Sequence, residues 1–283
     1  MSRLTLGLVL VVGLLAGGLV VTLFDRAAPA LTETEVRGIV SEALETGGPA
    51  AAPAMDAAAV AALVEDVLMN DPTILRRMSE KLAADERVAA RTAQKQLLEA
   101  HRAAIYDAPG NVVLGNPQGD VTLVEMFDYN CGYCRQAVPD LATLIAEDPD
   151  LRVILKEFPI LSQGSLEAAR VAVLVADDEA LDYWEFHRRL FSNRGQIGTE
   201  AALDVAEQIG GNRMELMVNM NGRLAGDAIE ASYQLAQALN ITGTPTYIIG
   251  DELIPGAIGL DVLRGKIANM RACGSTDCGG GAG

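Results

Sequence analysis

The sequence predicts an α/β domain that carries a helical insertion and follows an all-helical N-terminal stalk. Three features indicate this fold class. Residues 121–128 form a nearly continuous apolar run, which is the pattern of a buried strand. After that run the predicted order is helix, strand, a long helical stretch, two short strands and a final helix. Residues 35–105 carry helical patterns, interrupted by a Gly/Pro/Ala-rich linker at residues 46–53.

The composition limits the classes of function. Half of the 283 residues are hydrophobic, which excludes a wholly disordered chain. The 38 acidic residues outnumber the 22 basic residues and give a formal net charge of −16. Because phosphate binding needs a basic surface, we predict no nucleic-acid partner.

The N-terminal residues 1–30 are predicted to direct export. Residues 4–24 are an unbroken run of apolar or small side chains, preceded by the single charge of Arg3. At about 1.5 Å per residue, this run can cross a hydrocarbon layer of ~30 Å. A membrane anchor and a cleaved signal peptide are both open interpretations. Both predict that the remaining chain is periplasmic or otherwise extracytoplasmic, where disulfides persist.

Residues 31–108 are predicted to form the stalk. Residues 35–44 and 59–68 repeat one helical pattern with a single apolar face, and a longer helix is predicted from Pro72 to about Ile105. A helix of about 50 Å with so thin an apolar seam does not stabilise itself by burial. We therefore predict a homo-oligomer, with a trimer as one form, assembled through residues 31–105. The alternative is a solvated spacer.

Residues 109–272 are predicted to form the globular domain, and residues 273–283 a flexible, glycine-rich tail. Its strands are predicted at residues 121–128, 151–156, 246–249 and 252–254. Its helices are predicted at residues 131–146 and 260–270, and across the insertion at about 165–240 with breaks near 177, 193–199 and 210–212.

The four cysteines form two close pairs, and the first pair is the strongest functional signal. Cys131, Gly132, Tyr133 and Cys134 follow the buried strand and open a helix. The N–H groups and partial positive charge of a helix N-terminus stabilise a thiolate at Cys131, and Cys134, one turn later, is placed to resolve a mixed disulfide. A zinc half-site and an inert disulfide are the alternatives. Zinc would need two further ligands, so we predict no metal and no cofactor.

Thr244 and Pro245 immediately precede the third predicted strand. A proline at the entrance to a central strand removes a ladder donor and calls for a special role. A cis peptide bond here would place the Thr244 backbone beside Cys131, where a client chain could pair with it as an added strand. The alternative is an ordinary turn.

These motifs together resemble a known family. Residues 127–135 (FDYNCGYCR), with Thr244 and Pro245 far downstream after a helical insertion, are similar to the DsbA-like thiol–disulfide oxidoreductases of the thioredoxin superfamily. Residues 68–75 (LMNDPTIL) resemble the N-terminal region of the suppressor-of-copper-sensitivity C proteins, some of which are trimeric disulfide isomerases. The resemblance implies a thioredoxin fold with an inserted helical domain. It also implies protein clients with thiols or disulfides, and a membrane redox partner that recycles the protein.

The resemblance implies roles for two charged residues. Glu125 lies where the family has a buried acid under the active site, and it would carry the proton of Cys134. Lys156 on the neighbouring strand would be its charge partner, because an unpaired buried charge is costly. The alternative places Glu125 at a strand edge facing solvent. His187 is predicted to pack in the core rather than to catalyse.

The predicted activity depends on the residues between the cysteines. Gly132 and Tyr133 resemble the isomerase type, and no histidine is present there to stabilise the thiolate and make the disulfide strongly oxidising. We therefore predict a disulfide isomerase or reductase. A dithiol oxidase and a copper(I)-binding stress protein that use the same cysteines are the alternatives. For Cys273 and Cys278 we predict a local disulfide, with a second redox relay or a soft-metal site as alternatives.

Overall fold

A computed structural model of the protein describes residues 34, 37, 38, 41, 42 and 56–279. The predicted leader at residues 4–24 lies outside the described residues, as does most of the predicted helix at 35–44. Across the residues that are described, no helix is both long enough and apolar enough to cross a membrane. The chain divides into two compact units, Met1–Met78 and Ser79–Gly283.

From residue 56 onward, the structure describes three helices before the sheet. Helix α1 spans Ala57–Asn70, α2 spans Thr73–Ala100 and α3 spans Arg102–Tyr106. Asp56 caps α1 by accepting the Ala59 N–H at 2.7 Å. Because α2 ends at Ala100 and α3 begins at Arg102, the single helix predicted from Pro72 to about Ile105 is interrupted at His101. Within the second unit, Leu98 and Ile105 are buried, so the end of this segment packs into the globular domain. The predicted division at residue 108 stays a prediction.

A five-stranded mixed sheet forms the centre of the second unit. Its strands are β1 (Val112–Gly115), β2 (Val121–Phe127), β3 (Leu151–Glu157), β4 (Thr246–Ile249) and β5 (Glu252–Pro255), in the order β1-β3-β2-β4-β5. Strands β2 and β3 are parallel, and the other neighbours are antiparallel. Strand β1 was not predicted, because a four-residue edge strand that alternates half-buried and exposed side chains has little apolar signal.

Seven helices surround the sheet. They are α4 (Gly132–Glu147), α5 (Gln163–Asp177), α6 (Tyr183–Ser192), α7 (Thr199–Gln208), α8 (Arg213–Asn219), α9 (Arg223–Ala238) and α10 (Leu260–Cys273). Helices α5 to α9 form the insertion between β3 and β4. The three predicted breaks are present, and a fourth, at residues 220–222, was not predicted.

The alternation of side chains along β2 sets the chemistry of each face of the sheet. Leu123 and Phe127 belong to the core cluster that also contains Cys131 and Cys134. Val124 and Met126 point to the other face and belong to a second cluster. Because strand side chains alternate with a period of two, Glu125 shares the face of the cysteines.

Candidate active site

The first cysteine lies at the start of a helix. Cys131 is the N-cap of α4, and its Sγ accepts the N–H of Cys134 at 3.4 Å. The N–H of Cys131 is bonded to the carbonyl of Asp128 at 3.0 Å, which closes a tight turn after β2. The local sequence produces this geometry because a buried apolar strand ends at Phe127 and a helix begins within five residues. The sulfur therefore lies among the unsatisfied N–H groups of a helix N-terminus.

This position makes Cys131 acidic. A hydrogen bond from the Cys134 side chain is the largest cause that lowers the pKa of Cys131, which falls to about 5. The Thr244 side chain and the backbone N–H groups of Cys134 and Tyr133 lower the pKa further, and partial burial opposes them. At neutral pH Cys131 is consequently a thiolate, which is the nucleophilic form.

The Thr244–Pro245 segment lies against this sulfur. The peptide bond between these two residues is cis, as the sequence predicts. When protonated, the Cys131 thiol donates to the Thr244 carbonyl at 3.2 Å. The structure thus brings a backbone segment more than one hundred residues away into contact with the nucleophile.

The second cysteine lies beneath the first. Cys134 is fully buried, and burial is the largest cause that raises its pKa, followed by the contacts with Cys131 and Glu125. Glu125 is only 4% exposed, so the alternative of a solvent-facing strand edge is wrong. Burial, and after it the charge of Cys131, raises the pKa of Glu125 to about 8. A carboxyl group with this pKa can exchange a proton near neutral pH.

The predicted pairing of Glu125 with Lys156 is wrong. In the parallel register Glu125 aligns with Leu155, and Lys156 aligns with Met126. Lys156 therefore lies on the face of the sheet opposite to the cysteines. Its Nζ donates to the Ala104 carbonyl at 2.9 Å and to the Asn111 side chain, and burial lowers its pKa to about 8. The structure gives Lys156 no contact with the reacting groups.

The two residues between the cysteines face outward. A Cβ added to Gly132 would meet no atom within 4 Å, and Tyr133 is 65% exposed. Both residues therefore border the approach to Cys131, where a client would arrive.

Sequence reasoning missed Tyr247, which aligns with Glu125 across β2 and β4. Tyr247 is buried, and burial is the largest cause that raises its pKa, followed by Glu125 and Cys134. Its position two residues after Pro245 was the available signal, because alternation places it on the face of the cysteines once the pairing is known.

A buried polar cluster, also missed, packs beside Phe127. The Tyr183 hydroxyl donates to Glu157 at 3.1 Å, and the Tyr129 hydroxyl lies 3.3 Å from both Tyr183 and His187. Burial raises the pKa of Glu157 well above its ordinary value and lowers the pKa of His187 to about 3. His187 packs among aromatic rings, 4.8 Å from the Phe127 ring, as predicted.

The second cysteine pair is a structural element of the C-terminal tail. Cys273 and Cys278 form a disulfide, and Thr276 within the loop is buried. The Asp251 side chain accepts the Thr276 N–H at 3.1 Å. Arg91 of α2 forms an ion pair with Asp277 at 2.7 Å. The closed loop of residues 273–278 is thereby tied to the β4–β5 turn and to α2.

The site and fold agree with a family match. A model of the DSBA-like thioredoxin domain matches residues 122–268, more than half of the chain. The chain therefore belongs to the DsbA-like thioredoxin domain family. This match confirms both the predicted resemblance and the thioredoxin fold with a helical insertion.

Two curated relatives share part of the sequence. The Na(+)/H(+) antiporter NhaA 3 of Salinispora tropica is 25% identical over 231 residues, which cover 78% of this chain and 34% of the relative. Disulfide bond formation protein D of Bacillus subtilis is 26% identical over 168 residues, which cover 56% of this chain and 76% of the relative. The chain thus spans about a third of the length of the antiporter.

Solved structures also resemble the chain. A thioredoxin-like oxidoreductase from Silicibacter pomeroyi has a TM-score of 0.58 and 35% identity, and the match covers 61% of this chain and 98% of that protein. A linker-deletion variant of Proteus mirabilis ScsC has a TM-score of 0.58 and 25% identity, and the match covers 79% of this chain and 99% of that protein.

Proposed function

We propose that the protein is an exported thiol–disulfide oxidoreductase that acts on protein clients, as a disulfide isomerase or reductase. The acidic Cys131, at a helix N-terminus beside the Thr244 backbone, is the observation that carries the proposal. A low-pKa thiolate next to a buried partner cysteine is the arrangement that disulfide exchange needs.

The exchange begins when the Cys131 thiolate attacks one sulfur of a client disulfide. An S–S bond forms between Cys131 and the client, and the second client sulfur leaves as a thiolate. In isomerisation another client thiolate attacks the mixed disulfide and restores the Cys131 thiolate. In reduction Cys134 loses its proton and attacks Cys131, which leaves a Cys131–Cys134 disulfide and a reduced client.

Glu125 is the proposed acceptor of the Cys134 proton. Burial is the larger cause of its raised pKa, and the negative charge of Cys131 is the second. In the mixed disulfide Cys131 carries no charge, so the second cause disappears and the pKa of Glu125 falls. The carboxylate becomes available at the step in which Cys134 must be deprotonated.

The acidity of Cys131 supports an intermediate redox poise. Its pKa of about 5 lies between the ~7 of thioredoxin and the ~3.5 of the strongly oxidising DsbA. A more acidic attacking thiol stabilises the reduced form and makes the disulfide more oxidising. An intermediate pKa of Cys131 suits isomerisation, because Cys131 must act both as the attacking thiolate and as the leaving group.

The N-terminal helices support assembly into an oligomer through residues 31–105. Helix α1 buries none of its side chains, and large apolar residues on α1 and at the start of α2 are exposed: Val60, Leu63, Val64, Val67, Leu75 and Met78. Burial of such a face in a second chain is favourable. Several active sites on one assembly would hold a misfolded client for repeated attack.

The test compares isomerase and oxidase activity in the full chain. Reactivation of a scrambled, disulfide-bonded ribonuclease by the reduced protein measures isomerisation, and oxidation of the reduced ribonuclease by the disulfide form measures oxidase activity. We expect the first to be faster, and Cys131→Ser to abolish both. Faster oxidation would assign the oxidase role instead, and full exchange by Cys131→Ser would refute the proposal.

Two further measurements separate the remaining alternatives. Trapping of thiols in cells reports the resting state of Cys131 and Cys134, which we expect to be reduced and maintained by a membrane redox partner. Titration of the reduced protein with copper(I) tests the copper-binding alternative, which requires tight, stoichiometric binding.

A further inference from the structure

The first basic side chain after the nucleophile is an arginine without a partner. Arg135 follows Cys134, and residues 129–134 contain no basic or carboxyl side chain. Arg135 is half-buried. Its Nε is shielded from solvent and has no hydrogen-bond partner among the described residues. Within the same part of the chain, the guanidinium forms no ion pair with a carboxylate.

Arginines elsewhere in the second unit are paired with carboxylates. Arg264 contacts Glu147 at 2.6 Å, and Arg271 contacts Asp120 at 2.8 Å. The N–H donors of a guanidinium form a planar fork that matches the two oxygens of a carboxylate. A shielded donor that stays unbonded, such as Nε of Arg135, costs free energy in the isolated protein, and a bound carboxylate would recover it.

The carboxylate nearest to Cys131 in the sequence is already satisfied by other groups. Asp128 is 1% exposed. Its Oδ1 accepts the Asn130 N–H at 2.7 Å, and its Oδ2 accepts the N–H groups of Ile160 and Leu161, both at 2.9 Å. These backbone N–H groups stabilise the buried charge in place of a cation. The guanidinium of Arg135 is therefore available to a carboxylate that another molecule brings.

Helix α4 places Arg135 one turn after the nucleophile. The Arg135 N–H donates to the Cys131 carbonyl at 3.1 Å, and residues four apart along a helix are neighbours on one face. The chain has a formal net charge of −16, so the protein as a whole repels an acidic client. A single cation beside the reacting sulfur then discriminates between clients by the charge next to their cysteines.

We propose that Arg135 is a specificity residue that binds a carboxylate next to the reacting disulfide of an acidic protein client. The proposal rests on the proposed function and names the class of client for that site. Two N–H groups of one guanidinium can donate to both oxygens of a carboxylate, which fixes its orientation as well as attracting it. The contact forms before the client S–S bond breaks, so it acts on the rate of encounter and attack.

The experiment uses the reduced full chain and three peptide disulfides. The peptides are identical except for the residue that follows the cysteine, which is Glu, Gln or Lys. The measured quantity is the second-order rate constant for the Glu peptide divided by that for the Gln peptide. This ratio cancels any change in the reactivity of Cys131 itself. We expect Arg135→Gln to lower the ratio at least about fivefold, and Arg135→Glu to shift the preference to the Lys peptide.

Three comparisons separate carboxylate binding from a general effect of charge. Arg135→Lys keeps the charge but removes the planar fork, and should retain part of the ratio. Arg87→Gln removes the same charge from α2, where Arg87 and Asp251 line one groove at the end of β4 remote from Thr244. We expect this control to leave the ratio unchanged. An ionic strength of about 1 M, where the Debye length is ~3 Å, should lower the ratio for the unmodified protein but not for Arg135→Gln.

Several outcomes would overturn the proposal. One is an unchanged ratio in Arg135→Gln, and another is an equal loss for all three peptides, which would assign Arg135 to the Cys131 thiolate. A preference shown for dithiodipropionate, a small dianionic disulfide, but for no peptide would overturn the assignment to protein clients. The salt dependence of the unmodified protein decides if the variants do not fold. If that protein exchanges none of these disulfides, the proposed function itself fails, and this proposal fails with it.

Discussion

Replacing the buried Glu125 by glutamine should make the reduced protein more stable and slower in exchange. Burial first, and the charge of Cys131 second, raise the pKa of this carboxyl to about 8 from an ordinary value of 4.5. A residue kept for stability would not be placed where its charged form is disfavoured. Glu125→Gln keeps the size of the side chain and removes its titration.

The magnitude follows from linkage between protonation and folding. A carboxyl whose pKa is higher in the folded state binds its proton more tightly there, so its contribution is complete below pH 4.5 and is lost as the pH rises through 8. Between pH 4.5 and 7 each pH unit removes ~1.4 kcal/mol. We therefore expect Glu125→Gln to raise the free energy of unfolding at pH 7 by about 3 kcal/mol, and to change it little at pH 4.

Urea unfolding of the reduced protein at pH 7 and pH 4 measures this difference. The matched control is Glu179→Gln, the same chemical change at an exposed position, for which we expect a change within about 0.5 kcal/mol. Stopped-flow measurement of the step in which Cys134 resolves the mixed disulfide should show a loss of at least about tenfold. A destabilised Glu125→Gln variant, or an equal gain at both pH values, would refute the reasoning.

Three other changes have definite expected results. Cys134→Ala should shift the midpoint of the Cys131 thiolate absorbance upward by at least about one pH unit, because the strongest donor to the sulfur is lost; an unchanged midpoint would assign the acidity to the helix N-terminus. Lys156→Met should leave that midpoint and the exchange rate within about threefold, because Lys156 faces away from the cysteines; a larger loss would return it to the proton path. Cys273→Ser with Cys278→Ser should lower the free energy of unfolding by about 2 kcal/mol with exchange intact; unchanged stability would contradict a structural role for this disulfide.

The main elements of the fold were predictable because their signals are local. A continuous apolar run indicates strand β2, and the residues at the N-terminus of α4 indicate that helix. The weakly patterned elements were missed. Strand β1 is a short edge strand with little apolar signal, whereas the break at residues 220–222 was missed although Asn221 and Gly222 form a turn-favouring pair.

Long-range pairing was predictable only in part. The helix predicted to reach Ile105 is interrupted at His101, since the end of this segment packs into the globular domain and tertiary contacts override helix propensity there. Lys156 was assigned to the wrong face because the sequence does not specify the register between β2 and β3. A shift of one residue in register moves every side chain of a strand to the other face.

The sequence by itself determined that Cys131 begins a helix after a buried strand. This is enough to predict a reactive thiolate, because the Cys134 side chain and the helix N–H groups that lower its pKa both come from adjacent residues. Only the tertiary structure decided which groups surround that thiolate. It placed Glu125 under Cys134, turned Lys156 to the other face of the sheet and joined Asp128 to Ile160 and Leu161. These contacts depend on sheet register and packing between segments distant in the chain, and no local pattern encodes them.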